Sequence, residues 1–239
     1  MRVLLVPNFI IKEFAMKTRF LPVSLCWLFV LAVSAAGQTL LFEKTNLNEW
    51  AFHTDKEGVQ AADIYSFADG VLKCKGEPFG WLGTKENYKN FKLEVEYRWA
   101  EGAKPTNSGI FIRLCGQNED TFLPKTIEVQ LGHKNAGDLW GFHGFTLPAP
   151  KGADDRFSEK DGNEKLGKMM GVKKLQDREK EPGQWNAVEV LAVNGFVVVS
   201  VNGKIVNWVT DAEQVEGKIG FQSEGGPIEF RNAVLDVLP

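Results

Sequence analysis

The run Phe91–Trp99, FKLEVEYRW, constrains the fold more than any other part of this chain. Phe91, Leu93, Val95, Tyr97 and Trp99 alternate with Lys92, Glu94, Glu96 and Arg98. Successive side chains of an extended chain point to opposite sides, so this run is a strand with one buried and one wet face. A helix would scatter the same apolar residues around its circumference. Turn signals separate further runs of this kind. Asp69-Gly70 divides IYSF from VLKCK, Asn194-Gly195 joins Trp185–Val193 to Phe196–Val201, and Asn202-Gly203 leads on to Lys204–Val209. Asn or Asp followed by Gly supplies the left-handed backbone of a type I′ turn. Trp185–Val209 is therefore expected to be a three-stranded antiparallel meander, followed by strands at Gly217–Ser223 and Ile228–Val237. No stretch has the period of a convincing amphipathic helix, and Asp211–Val215 reads at most as a short turn. The pattern predicts an all-β fold, a sandwich of two antiparallel sheets.

Charge narrows the partners. The 239 residues carry 28 Lys and Arg against 31 Asp and Glu. The basic excess sits at the start: residues 1–37 hold Arg2, Lys12, Lys17 and Arg19 against Glu13 alone. The remainder is more acidic than the whole, which argues against nucleic acid or an anionic membrane as partner. From Met16 a short basic start precedes the uncharged run Leu21–Ala36, ending in small residues. That order describes a secretory signal peptide, and the run is shorter than the roughly 20 residues that cross a bilayer. The expectation is an upstream extension and leader over residues 1–37, starting at Met16, with cleavage near Ala35 to Gly37. A single domain would follow over residues 38–239, exported to the periplasm or the exterior. Export permits a disulfide between Cys74 and Cys115, although two buried thiols fit their apolar surroundings equally well.

Residues 133–183 break the alternation. This segment is rich in Gly, Lys and Asp, yet it carries Trp140, Phe142, Phe145 and Phe157. A long loop with embedded aromatics inside a compact domain suits a lid over a binding site.

Candidate site residues come from the strand faces opposite the apolar rows. In GIFIRL, Ile110, Ile112 and Leu114 leave Gly109, Phe111 and Arg113 on the other side. In TIEVQL, Ile127, Val129 and Leu131 leave Thr126, Glu128 and Gln130. In Lys218–Ser223, Gly220 and Gln222 face away from Ile219 and Phe221, and in Ile228–Arg231 Glu229 and Arg231 oppose Ile228 and Phe230. If these strands neighbour one another, Arg113, Glu128, Gln130, Gln222 and Arg231 line one concavity. Each also has a duller reading. Arg113 and Glu128 suit a cross-strand ion pair, the glutamines suit a solvated face, and Arg231 with Asn232 suits an anchor for the last strand. Glycine within these strands favours close approach by a ligand. Asn107-Ser108 offers an amide and a hydroxyl at a strand entrance. His53, His133 and His143 lack metal-ligand spacing.

Taken in order, the motifs resemble the 3-keto-disaccharide hydrolase domain family. They are Leu41-Phe42, Trp50, Asp69-Gly70-Val71-Leu72, Trp81-Leu82-Gly83-Thr84 and Asn107-Ser108-Gly109-Ile110-Phe111-Ile112-Arg113. Tyr88, Phe91-Lys92-Leu93, Ile127-Glu128-Val129-Gln130, Gly183-Gln184-Trp185-Asn186, Asn202-Gly203, Gly217-Lys218-Ile219-Gly220-Phe221-Gln222 and Glu229-Phe230-Arg231-Asn232 complete the set. The resemblance runs from about Leu41 to Leu238. After Gln130, where acidic or amide residues often follow, this chain has Leu131-Gly132-His133. The resemblance implies a concanavalin A-like jelly roll and cleavage of a glycoside oxidised at C3. A C3 ketone acidifies the C2 hydrogen, so a base, oxyanion donors and an acid for the leaving oxygen suffice. On this reading Glu128 is the base and Arg113 stabilises the oxyanion. Gln130 and Gln222 add donors, Asn107 orients hydroxyls, and His143 is the acid. Arg231 and Trp140 complete the sugar site, and participation of a divalent metal is left open. The rival reading is a carbohydrate-binding module without catalysis, in which the same polar residues only hold the sugar.

Overall fold

The computed structural model describes residues 37–116, 123–148, 151–152 and 155–239. The leader expected over residues 1–37 lies outside this set, Gly37 apart. Among the described residues, sixteen strands follow in chain order. They are β1 (Gln38–Leu40), β2 (Ala51–Thr54), β3 (Tyr65–Ala68), β4 (Val71–Cys74), β5 (Gly80–Gly83), β6 (Phe91–Trp99), β7 (Gly109–Cys115) and β8 (Lys125–Gln130). The rest are β9 (Leu139–Phe142), β10 (Phe157–Asp161), β11 (Lys168–Val172), β12 (Asn186–Val193), β13 (Phe196–Val201), β14 (Lys204–Val209), β15 (Lys218–Ser223) and β16 (Ile228–Val237). Among the described residues, helix is confined to one turn at Ala61–Ile64 and two 3-10 turns.

The strands form two antiparallel sheets. One runs β14-β13-β12-β6-β16-β4-β3, with β1 also on β16; the other runs β10-β11-β9-β8-β7-β15-β5-β2. The chain passes repeatedly from sheet to sheet, giving the jelly-roll sandwich expected from the hairpins and alternation.

Burial follows the alternation. Phe91, Leu93, Val95, Tyr97 and Trp99 of β6 are buried, and they share one core with Ile110, Ile112, Ile127, Val129, Ile219 and Phe221 from the second sheet. Apolar rows from facing sheets exclude water from each other, and this burial is the main favourable term holding the sandwich together. The turns behave as their residues dictate. Asp69 and Gly70 have φ of 52° and 73°, and Asn202 and Gly203 have 51° and 74°, as a type I′ turn requires. At Asn194-Gly195 only Asn194 is left-handed, with φ of 51°. Cys74 and Cys115 are free thiols, which settles the disulfide question for this structure.

The segment 133–183 departs from expectation. It contains β9, β10 and β11, which extend the second sheet beyond β8 as a three-strand addition. These strands have only four or five residues and carry Gly141 and Gly171. Several of their side chains, Trp140 and Met169 among them, belong to the outer face of the sheet rather than to the core. The apolar alternation that marks a core strand is therefore weak in their sequence. What reads as a lid is mostly a wall.

Candidate active site

The second sheet turns a row of polar and aromatic groups outward, and β8 is its centre. Ile127 and Val129 enter the core, so Glu128 and Gln130 face away from it. Glu128 sits opposite Phe111 of β7 and Trp140 of β9, and Gln130 sits opposite Gly109. On β15, Gln222 lies opposite Trp81 of β5. Carrying the β15 alternation two residues further brings Glu224 to the same side. Asn107, at the entrance of β7, forms bridges with Glu224 and Gly225. A cleft of about 600 Å³ gathers Asn107, Glu128, Gln130, Trp140, Gln222 and Glu224. Its far wall comes from the β9–β11 addition and the turns beside it, with Asp138, Lys160, Asn163, Leu166, Met169 and Lys173. A neighbouring hollow of about 550 Å³ shares Phe79 and Glu224 with this cleft.

Two glycines make the geometry possible. A Cβ on Gly109 would lie 2.3 Å from Glu128 Oε1, so the carboxyl occupies space that any side chain there would take. A Cβ on Gly171 would lie 2.6 Å from the Trp140 ring, so the indole lies directly over that glycine. Lys160 Nζ stands 5.7 Å from the centroid of the same ring, within reach of its negative face.

The polar groups differ in how they are held. Gln130 Oε1 accepts from the Gly132 N–H at 2.6 Å, so the amide NH2 is the end left for a ligand. Gln222 Nε2 donates to Glu224 Oε2 at 2.8 Å, and Asn107 also hydrogen-bonds to Glu224. Glu128 is 2 % exposed, and its Oε1 has no hydrogen-bond partner; neither does Gln222 Oε1. Burial first, and the Glu224 carboxyl second, push the Glu128 carboxyl well above the usual carboxylate range. Burial also raises Glu224, while its bonds to Asn107 and Gln222 pull it back. Buried acceptors without donors are rare in folded proteins, and two in one cleft point to hydroxyl-bearing ligands.

Three expected site residues are elsewhere. Arg113 does not line the cleft. β7 carries a bulge between Ile112 and Cys115, and Arg113 sits in it with φ of 51°. A bulge inserts a residue and breaks the alternation, so Leu114 joins Phe111 and Phe142 in the outer apolar cluster while Arg113 turns away. Its guanidinium is fully buried and donates to three backbone carbonyls. Nε and Nη2 reach Lys89 O at 3.1 and 2.9 Å, Nη1 reaches Glu213 O at 2.8 Å, and Nη2 reaches Asn194 O at 2.7 Å. Arg231 lies on the outer face of the other sheet, paired with Glu96 at 2.5 Å and stacked 4.1 Å from the Trp185 ring centroid. His143 follows β9 with φ of 51°, and its Nε2 is 2.9 Å from Lys165 O. That contact ties the ring to the turn that carries Asn163 and Leu166, and His143 itself does not line the cleft.

The alternation also missed cleft residues. Glu224 was within its reach, since it lies two positions beyond Gln222, just past the end of β15. Asp138, Lys160 and Lys173 were not, because their neighbours are set by the pairing of β9, β10 and β11. Among the described residues, no group of three or more His, Cys, Asp or Glu side chains is arranged to hold a metal ion.

Residues 37–236 match the family described as the 3-keto-alpha-glucoside-1,2-lyase-like domain. The chain belongs to this family. Membership covers nearly all of the two-sheet unit, including every residue of the cleft, and marks the protein as carbohydrate-acting and glycosyl hydrolase-like. No curated protein matches the chain. Solved structures share the fold at low identity. A candidate glycosyl hydrolase from Parabacteroides distasonis is 23% identical with a TM-score of 0.57, covering 84% of this chain and 100% of that one. A carbohydrate-binding module from Bacillus subtilis is 9% identical at a TM-score of 0.54, covering 79% and 97%. A Bacillus subtilis protein of unknown function with a galectin-like fold is 16% identical at 0.50, covering 86% and 98%. The chain therefore shares its fold both with a candidate glycosyl hydrolase and with a carbohydrate-binding module.

Proposed function

We propose that the protein cleaves the glycosidic bond of a sugar oxidised to a ketone at C3, by removing the C2 proton, expelling the C1 substituent and adding water. The observation that carries this reading is a buried carboxyl without a donor, Glu128, beside a second carboxyl, Glu224, in a cleft lined by amides and a tryptophan. Proton transfer at carbon needs positioned groups that can give and take a proton, and burial raises the Glu128 carboxyl above its ordinary range. The developing enediolate needs donors. Arg113 is committed to backbone carbonyls, so the Gln130 amide and the ammonium groups of Lys160 and Lys173 take that role. Trp140 gives the sugar ring an apolar face to lie on. Family membership supports the same chemistry. On the leader-like residues 16–37, we read the protein as exported.

The deciding experiment incubates the full chain with a methyl 3-keto-glucoside and with its unoxidised parent. Release of methanol from the keto form alone is the expected result. Binding of both sugars without release would sink the enzymatic reading in favour of a carbohydrate-binding module.

A further inference from the structure

Two carboxyls share this cleft, and their surroundings differ in kind. Glu128 lies between the aromatic side chains that oppose it across the sheet, Phe111 and Trp140, and over bare Gly109. Its Oε1 accepts no hydrogen bond. Glu224 receives the Gln222 amide and a bond from Asn107, and it borders both hollows. Donors stabilise a carboxylate, whereas an apolar slot stabilises a neutral acid. The other charged groups lining the cleft are Asp138, Lys160 and Lys173. None of the three features in what shifts Glu128, which is burial followed by Glu224. Gln222 fixes the assignment further. With its NH2 bound to Glu224, its Oε1 is left buried and without a donor. A proton on Glu128 adds a hydroxyl donor to a cleft that otherwise holds two orphaned acceptors.

Resting on the reaction proposed above, we infer that Glu128 holds the proton in the resting cleft and serves as the acid, while Glu224 is the base. Glu128 is thus the acid rather than the base expected from the sequence, in place of His143, and Glu224 takes the part of the base. Glu224 takes the C2 hydrogen as a proton, and the C2–H electrons form a C2–C3 double bond with the negative charge on O3. That charge then reforms the C3 carbonyl, a C1–C2 double bond forms, and the C1–O bond breaks. The departing oxygen takes the Glu128 proton. Water then adds: its oxygen bonds C1 and its proton restores Glu128, while Glu224 returns a proton to C2. No oxidant or reductant is needed, and both carboxyls end as they began. Environments that push two carboxyls apart are how one site runs acid and base steps together.

The test uses Glu128→Gln and Glu224→Gln in the full chain. Glutamine is close in shape to a neutral glutamate, so the first substitution keeps the packing. The first measurement needs no substrate: the carboxyl infrared band of a neutral glutamic acid at neutral pH. It is expected in the native protein and in Glu224→Gln and to vanish in Glu128→Gln. Its absence from the native protein, or its loss in Glu224→Gln instead, overturns the assignment. The second measurement compares 3-keto-glucosides with methyl and nitrophenyl leaving groups. Nitrophenolate leaves without an acid, so Glu128→Gln should lose about 100-fold or more on the methyl glycoside, yet only a few-fold on the nitrophenyl one. It should also still exchange the C2 hydrogen with deuterated water. Glu224→Gln should lose both turnovers and the exchange alike. The opposite pattern overturns the division of labour while leaving the reaction standing. A native protein inert on both glycosides overturns the reaction, and the infrared band still decides which carboxyl holds the proton.

Discussion

Both sheets have an outer face built by the same alternation, and the two faces do opposite things with it. On the first sheet, charges meet charges. Arg98 pairs with Glu229 at 2.7 Å, Lys92 with Glu189 at 3.0 Å, and Arg231 with Glu96, while Arg98 and Arg231 both stack on Trp185. Each of these charges has its partner beside it on the same face, so nothing there requires a ligand. On the second sheet, Glu128 and Gln222 are buried behind a wall of added strands and leave acceptors unmet. Residue type does not separate these faces, since both are rich in glutamate. Depth and unmet hydrogen bonding separate them.

The comparison breaks most directly at the carboxyls. Replacing Glu224 by Gln should reduce turnover of a 3-keto-glucoside about 10²- to 10⁴-fold, the usual contribution of a positioned proton-transfer group. Replacing Glu229 by Gln on the other sheet should leave steady-state turnover within about twofold, because Glu229 is paired with Arg98 on the opposite outer face and does not line the cleft. Equal losses from both substitutions would erase the distinction between the faces.

Next in size is a stability effect. Arg113→Met removes five donor groups from a buried position and strands the carbonyls of Lys89, Asn194 and Glu213. Unfolding in urea should show a loss of about 3 kcal/mol or more, comparable to breaking other buried polar networks. The surviving folded protein should keep its substrate affinity, since Arg113 does not border the cleft.

Gly109→Ala tests how tightly the carboxyl is seated. The new methyl would lie 2.3 Å from Glu128 Oε1, so the side chain must move. Overpacking of this kind costs about 1–3 kcal/mol, and turnover should fall with it. Unchanged activity would mean that the position of Glu128 is not critical.

The pH dependence of stability has a definite sign. Glu128 titrates above its ordinary 4.5 when folded, because burial penalises the charged form. The unfolded chain therefore ionises this group first as pH rises. Its contribution is fully present below about pH 4.5 and is lost as pH climbs through the folded value. Urea midpoints should fall over that window in the native protein and flatten in Glu128→Gln. Smallest of all, a double-mutant cycle on Lys92 and Glu189 should give a coupling of about 0.2–1 kcal/mol that shrinks with added salt.

Strand alternation and Asn-Gly or Asp-Gly turns determined the sandwich, because both are properties of the chain within a few residues. The facing of Glu128, Gln130 and Gln222 followed from the same rule, and Glu224 was within its reach. Tertiary structure decided the rest. The bulge at Arg113 is a misfit between β7 and its partners, so it exists only once they pair. The wall from β9 to β11 is held by pairing with β8 rather than by an apolar signature of its own. Whether a glutamate is paired and wet or buried without a donor depends on groups far apart in sequence. A pattern of neighbours sets which way a side chain points, and only the assembled sheets set what it meets.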